Sequence, residues 1–239
     1  MLRSVLFFVF SALMMNASAQ TFMVFKGDTI NRKDSKGQKQ GVWKKYYRND
    51  QLFSETVFKD DKQTGTTSFY YESGKLKSQL NWKKPGVFAS AISYFEDGKK
   101  MSEGFYKNEK KDSTWRYYTP DEKLSAIENF KDGKRHGKWT TYYPEGGKVE
   151  EKTFVKDKLE GPYIKYFSDG KPMMTATYKD DKLTGKFVVY TVDGKPYNSG
   201  NYVKGERVGK WVLCDDKGNP WIESTYRNGF EVKTDTIKK

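Results

Sequence analysis

A period of 24 residues runs through this chain and restricts its fold more than any other feature. Stepping from Trp139 by that interval gives Trp43, Thr67, Ala91, Trp115, Trp139, Tyr163, Phe187 and Trp211. Three residues after each stand Tyr46, Tyr70, Tyr94, Tyr118, Tyr142, Tyr166, Tyr190 and Cys214. Fifteen after each stand Phe58, Trp82, Tyr106, Phe130, Phe154, Tyr178, Tyr202 and Tyr226. This last column is aromatic in all eight rows although aromatics are 16% of the chain, so chance does not account for it. A fixed period of this length marks a repeat architecture. Each unit is too small to bury its own rings and depends on its neighbours.

One unit reads as two strands and two turns. Residues 138–144 (KWTTYYP) have the aromatic and threonine content of a strand. A turn follows at Glu145-Gly146, with Asp97-Gly98, Asp169-Gly170 and Asp193-Gly194 in other rows. Glycine holds this position in six of eight rows, and it accepts φ > 0 without a Cβ clash. An Asp-Gly pair between apolar runs is a hairpin signal. A second strand, about residues 148–154, closes on a polar turn and on the residue that opens the next row. Those openers are Gly41, Gly65, Ala89, Ser113, Gly137, Gly161, Gly185 and Gly209. No 3.6-residue periodicity is visible, and glycines interrupt every candidate helix. The expected fold is all-β: an elongated single antiparallel meander of about eight β-hairpin repeats. Sixteen such strands would extend roughly 75 Å and twist right-handedly. The ring-bearing positions are expected to be packing rungs, with Gly137 and Gly146 as turn residues.

The motif G-x-W-x-x-Y-Y-x-x-G-K followed by an aromatic and a K-D/N-G/D-K turn is carried best by Gly137, Trp139, Tyr142, Tyr143, Gly146 and Phe154. It returns at Gly209, Trp211, Gly218 and Tyr226. It resembles the bacterial variant of the MORN repeat, of the type named toxin–antitoxin YwqK family antitoxin, over about residues 37–232. Thr67, Ala91 and Cys214 depart from the pattern. The resemblance implies an extended sheet of hairpins and a role in protein or surface association.

The chain divides into a leader (1–19), an N-terminal cap or half-repeat (20–40), eight repeats (41–232) and a polar tail (233–239). The leader has Arg3, an apolar run from Val5 to Met15 and Ala17-Ser18-Ala19, the pattern of a secretory signal peptide cleaved after Ala19. Its apolar run is shorter than the ~20 residues a membrane span needs. The mature protein is therefore expected in the periplasm or secreted, with no transmembrane span after cleavage. The single cysteine, Cys214, excludes an internal disulfide and is expected to pack as a small hydrophobe. Residues 79–114 are the most degenerate stretch. Lys84-Pro85-Gly86 replaces the usual turn, and Val87, Phe88, Ala89, Ala91 and Ile92 are apolar. Two readings stand there: loosened repeats, or a bend with a partner's contact patch.

The formal charge is +13, and the leader holds only Arg3 of it. Lysines recur in the turns, among them Lys62, Lys110, Lys134, Lys158 and Lys182 on one margin and Lys75, Lys99, Lys123, Lys171 and Lys195 on the other. In register they would form lines of positive charge, diluted by neighbouring aspartates, able to attract an anionic envelope surface. Nucleic acid does not suit an exported chain. No catalytic set emerges. His136 is the only histidine, no phosphate-binding loop is present, and the adjacent pairs Glu150-Glu151 and Asp215-Asp216 would point to opposite faces of a strand. No cofactor is expected. The sequence therefore points to an exported, non-enzymatic scaffold for an unidentified protein partner. The alternative is a module binding lipid headgroups or polysaccharide through its lysine margins.

Overall fold

A computed structural model describes residues 20–25 and 27–237, and every regular element among them is a strand. The leader read as a signal peptide lies outside the described residues. The strands form one open antiparallel sheet of 21 strands in which each pairs with its neighbours in sequence, so the fold is the expected meander. Two of the 21, Lys134–Arg135 and Lys182–Leu183, are leading ends of row strands broken at His136 and Thr184.

Both ends add strands beyond the eight rows. Thr21–Phe25 and Asp28–Lys33 form a hairpin that joins the first row through Arg32↔Gln40 and Lys33↔Lys39. Phe230–Thr236 pairs with Pro220–Arg227, so most of the segment read as a polar tail is the last strand of the sheet.

The two turns of each unit exchange the geometry their sequences suggest. The Asp-Gly positions do not make two-residue hairpins. They lie in five-residue loops: the Tyr143 N–H donates to Gly147 O at 2.7 Å and the Gly146 N–H to Tyr143 O at 2.9 Å. Only the fourth loop residue is left-handed. It is glycine in six rows, Asp50 (φ 62°) in the first and Glu122 (φ 60°) in the fourth. Glu122→Gly should accordingly raise stability, by about 1 kcal/mol, read as a higher urea midpoint.

The tight turns are the polar ones. Asp60-Asp61 (φ 50° and 62°), Lys156-Asp157 (51° and 73°) and Asp180-Asp181 (49° and 63°) have two left-handed residues each, the type I′ geometry that matches strand twist. Aspartate at the second position has a use that glycine lacks. Carboxylates of Asp61, Asp157 and Asp181 accept the backbone N–H groups of Lys39, Arg135 and Leu159, one row back, at 2.8, 2.9 and 2.8 Å. The N–H of the same turn residue also reaches back, as from Asp157 to Arg135 O at 3.0 Å.

The row-opening residues sit where the strand register slips, as between Thr56↔Thr67 and Val57↔Thr64 beside Gly65. Seven of the eight openers have positive φ, Ser113 (60°) among them; Ala89 does not. Alanine pays for a left-handed backbone with a Cβ clash. In that row the slip moves to the partner strand, between Trp82 and Lys84, and the turn becomes Pro85-Gly86-Val87.

Candidate interaction surface

Strand alternation sorts the columns onto two faces. Gly41 faces Phe58 and Trp43 faces Thr56, so the Trp43 and Phe58 columns share a face. The Tyr46 column lies on the other: the Tyr118 hydroxyl donates to Glu103 and the Tyr166 hydroxyl to Glu151, each at 2.7 Å. Tyr142 thus projects away from Trp139, in contact with a different set of neighbours. A bulge recurs beside this column, as between Lys45↔Ser54 and Tyr46↔Leu52, but its extra residue is on the returning strand and leaves the tyrosines where alternation puts them.

The tryptophan face is a continuous ladder through much of its length. Trp139 lies between Phe130 (centroids 5.3 Å apart) and Phe154 (5.1 Å). Tyr163 meets Tyr178 at 5.6 Å, Phe187 meets Tyr202 at 5.5 Å, Trp43 meets Phe58 at 5.8 Å, and Trp211 touches Phe187, Tyr202 and Tyr226. Most of these pairs are edge-to-face, the arrangement ring quadrupoles favour. Trp115, Phe154 and Trp211 are each only 3% exposed. The indoles reach back over the preceding strand: Trp115 Nε1 donates to Phe105 O at 3.0 Å and Trp139 Nε1 to Asn129 O at 2.9 Å. Gly104 and Gly200 make room, since a Cβ there would stand 2.3 and 2.2 Å from the Trp115 and Trp211 rings.

A second column covers these rings with cations. Lys39 lies 4.8 Å from the Trp43 centroid, Lys111 4.5 Å from Trp115, Arg135 5.9 Å from Trp139 and 4.2 Å from Phe154, and Arg207 4.3 Å from Trp211. Burial against the rings pushes the Lys111 pKa down despite the nearby Glu128. The lysine-margin reading did not include this column. Its signal was a basic residue four positions before each of Trp43, Trp115, Trp139 and Trp211.

Loop tyrosines tie each row to the next: hydroxyls of Tyr47, Tyr71 and Tyr143 donate to the carbonyls of Tyr70, Tyr94 and Tyr166. The face of the Tyr46 column is more polar. Glu151 is buried beneath Lys138 (2.6 Å) and Lys148 (2.9 Å). Burial alone would raise its pKa; hydrogen bonds from Lys138, Tyr166 and Lys148 outweigh that and hold it at about 2. The stabilisation of a carboxylate with a depressed pKa is complete above its unfolded value, about 4.3. It is lost as pH falls through about 2. Acid titration of the wild type should therefore show a larger loss of stability between about pH 4.5 and 2 than Glu151→Gln, which keeps only the part that other carboxylates such as Glu103 and Glu150 contribute.

Glu150 and Glu151 project to opposite faces, since Tyr163 binds the first and Tyr166 the second. Among the described residues no group of three or more His, Cys, Asp or Glu is placed to hold a metal ion. Cys214 is buried in the tyrosine column, as a small hydrophobe would be.

Lys62, Lys110, Lys134, Lys158 and Lys182 are all exposed at the tight-turn margin. Aspartates neutralise part of the line: Lys158 pairs with Asp180 at 2.8 Å and Lys107 with Asp132 at 3.7 Å. Positive charge converges at one place, a hollow of about 420 Å³ lined by Lys110, Lys131, Lys134, Lys156, Asp132 and His136. The His136 Nδ1 is buried there without a hydrogen-bond partner.

The degenerate stretch is not an exposed apolar patch. Ala89 and Ala91 are buried, and Phe88 stacks on Phe105 at 5.4 Å. Exposed apolar side chains stand along both outer edges of the sheet: Phe22 is 62% exposed and Val24 60% at the opening edge, and Trp221 52%, Phe230 77% and Val232 55% at the closing one.

Comparison with known proteins bears on the fold. The pattern of the family described as MORN repeat variant matches residues 39–60, 63–84, 90–108, 135–156 and 159–180, each close to one row. Nothing matches among curated proteins. S. aureus TarM aligns at 10% identity over 51% of this chain and 21% of its own length, with a TM-score of 0.25. A TcdB2–TccC3 structure aligns at 11% identity over 84% of this chain and 13% of that one (TM-score 0.23). A porin-like protein from Bacteroides uniformis aligns at 12% identity over 76% and 91% (TM-score 0.20). The chain thus spans about a fifth of TarM, and similarities this weak carry no functional argument.

Proposed function

The chain belongs to the MORN repeat variant family, and from that membership we propose that it is an exported, non-enzymatic scaffold that binds another protein along its sheet. The observation that carries this reading is the closing edge. Among the described residues Phe230–Thr236 pairs on one side only, and its Phe230 and Val232, with Trp221 of the neighbouring strand, stand in solvent. A strand with one free edge and alternating apolar side chains suits an extended partner segment, with backbone hydrogen bonds for affinity and side chains for selection. Immobilised protein should retain a saturable partner from an envelope extract at several salt strengths. Trp221→Ser/Phe230→Ser should lose it. Recovery of no partner at any ionic strength contradicts the proposal.

The hollow around Lys110, Lys131, Lys134 and Lys156 favours a second reading, attachment to an anionic lipid or polysaccharide surface. Its energy would be coulombic and screened over roughly 10 Å at 0.1 M salt. Binding to vesicles containing phosphatidylglycerol should then fall steeply between 50 and 500 mM salt and be absent on phosphatidylcholine alone. Salt-independent binding rules this reading out.

A further inference from the structure

The ring ladder has one gap. On the tryptophan face, rows two and three carry Thr67 and Ala91 where other rows carry an aromatic. A hollow of about 280 Å³ opens there, bounded by Phe69, Leu80, Trp82, Ala91, Ser93 and Tyr106, with Glu109 at its rim.

The array itself identifies what this space is shaped for. In row four, Trp115 lies over Gly104, meets Tyr106 edge-to-face at 5.0 Å, lies 6.3 Å from Tyr117, and shares the Lys111 ammonium with Phe130. One period earlier, Gly104, Tyr106, Tyr117 and Phe130 correspond to Leu80, Trp82, Ser93 and Tyr106, and Trp115 corresponds to Ala91. All five line the hollow. It lies beside the place of an absent ring, which Leu80 partly fills; Trp82 and Tyr106 keep two aromatic walls, and Ser93 stands where row four has Tyr117. The cation is absent too, because Val87 stands where row four has Lys111. Glu109 makes no ion pair with any described residue and supplies negative charge at the mouth.

We propose that this hollow receives an aromatic side chain accompanied by a positive charge, presented by a protein partner. The inference rests on the scaffold reading and adds a second contact site, separate from the closing edge, with its own chemistry. The occupant makes the kinds of contact that Trp115 and Lys111 make in row four, displaced outward by Leu80: a ring edge-to-face against Trp82 and Tyr106, and a cation over the rings beside a carboxylate. Gln63, Ser78 and Ser93 also line the hollow and could serve a sugar, but the Trp82 Nε1 donor is already engaged by Thr67 Oγ1 at 3.0 Å, so methyl glucoside is included as a competing probe.

The test uses the full mature chain and tryptamine, an indole with an ammonium group, followed at the Trp82 indole N–H in proton–nitrogen spectra. Tryptamine should shift that signal saturably at millimolar concentration. Indole-3-propionate, the same ring with a negative charge, should bind at least fivefold more weakly. Glu109→Gln should bring the two probes close to parity. Leu80→Gly/Ala91→Trp copies row four and should abolish binding while retaining the strand circular dichroism. No saturable shift, equal binding of both indoles to the wild type, unchanged binding in the folded double variant, or a preference for methyl glucoside overturns the proposal. The envelope partner serves as a separate readout. If tryptamine fails but the partner is still retained, the hollow is refuted and the scaffold stands; if no partner is retained by any form, the scaffold reading fails by itself.

Discussion

Gly104→Ala should destabilise this protein by about 3 kcal/mol, at the upper end for overpacking by one methyl group. The backbone at Gly104 is ordinary strand, so alanine meets no conformational penalty there. The cost is steric: the new Cβ would stand 2.3 Å from the Trp115 indole, which is pinned from several sides. Its Nε1 is bonded to Phe105 O, Tyr106 packs against it, and Lys111 caps it. The ring must leave or the strands must part. The same substitution in a Trp115→Ala background should cost almost nothing, because its obstacle has gone. Urea midpoints of the four proteins give that coupling directly. Equal costs in both backgrounds would show that the ring does not lie on the glycine. Leu80, the residue one period before Gly104, already shows the relation: a large side chain stands there, and the row above it has Ala91 in place of an indole.

Trp115→Ala by itself should cost about 3–5 kcal/mol, the range for deleting a buried large aromatic. Trp115 is 3% exposed and ties row four to row three through Tyr106 and the Phe105 carbonyl. Its loss also strips Lys111 of the ring beneath its ammonium. Stability in an array comes from units and from interfaces between neighbours, so the damage should concentrate at the boundary of rows three and four. Hydrogen exchange should accelerate most in strands Lys100–Lys107 and Lys110–Tyr118, with the closing rows much less affected. Uniform acceleration across the sheet would contradict nearest-neighbour stabilisation.

The period made the architecture legible before any coordinates. Columns of rings 24 residues apart can meet only if successive hairpins lie side by side, and the recurrent glycine of the loops marks a left-handed backbone. The sequence was misleading about which turn is tight. Asp-Gly is a familiar two-residue turn pair, but here it lies within a five-residue loop, while Asp60-Asp61 and Asp180-Asp181 adopt the type I′ form without glycine. Their carboxylates bind the row behind, a tertiary reason that local propensity does not express. The surface was legible in part. The lysines are exposed along the margins as expected, but their ion pairs across rows, such as Lys158 with Asp180, arise from separations of 22 residues that only the register reveals. The gap at Ala91 could be seen as an irregularity. That two of its walls remain aromatic follows from the facing of Trp82 and Tyr106, which depends on strand alternation and the shifted bulge at Lys83.

Indoles folded back over the glycines of the preceding strand hold successive rows together. The Hα resonances of Gly104 and Gly200 in the intact protein test this directly, because protons beneath an indole face are shifted strongly upfield by its ring current. Strong upfield shifts at both glycines, abolished respectively by Trp115→Ala and Trp211→Ala, are the predicted result. Ordinary glycine shifts at both positions, unmoved by removal of the rings, would contradict it.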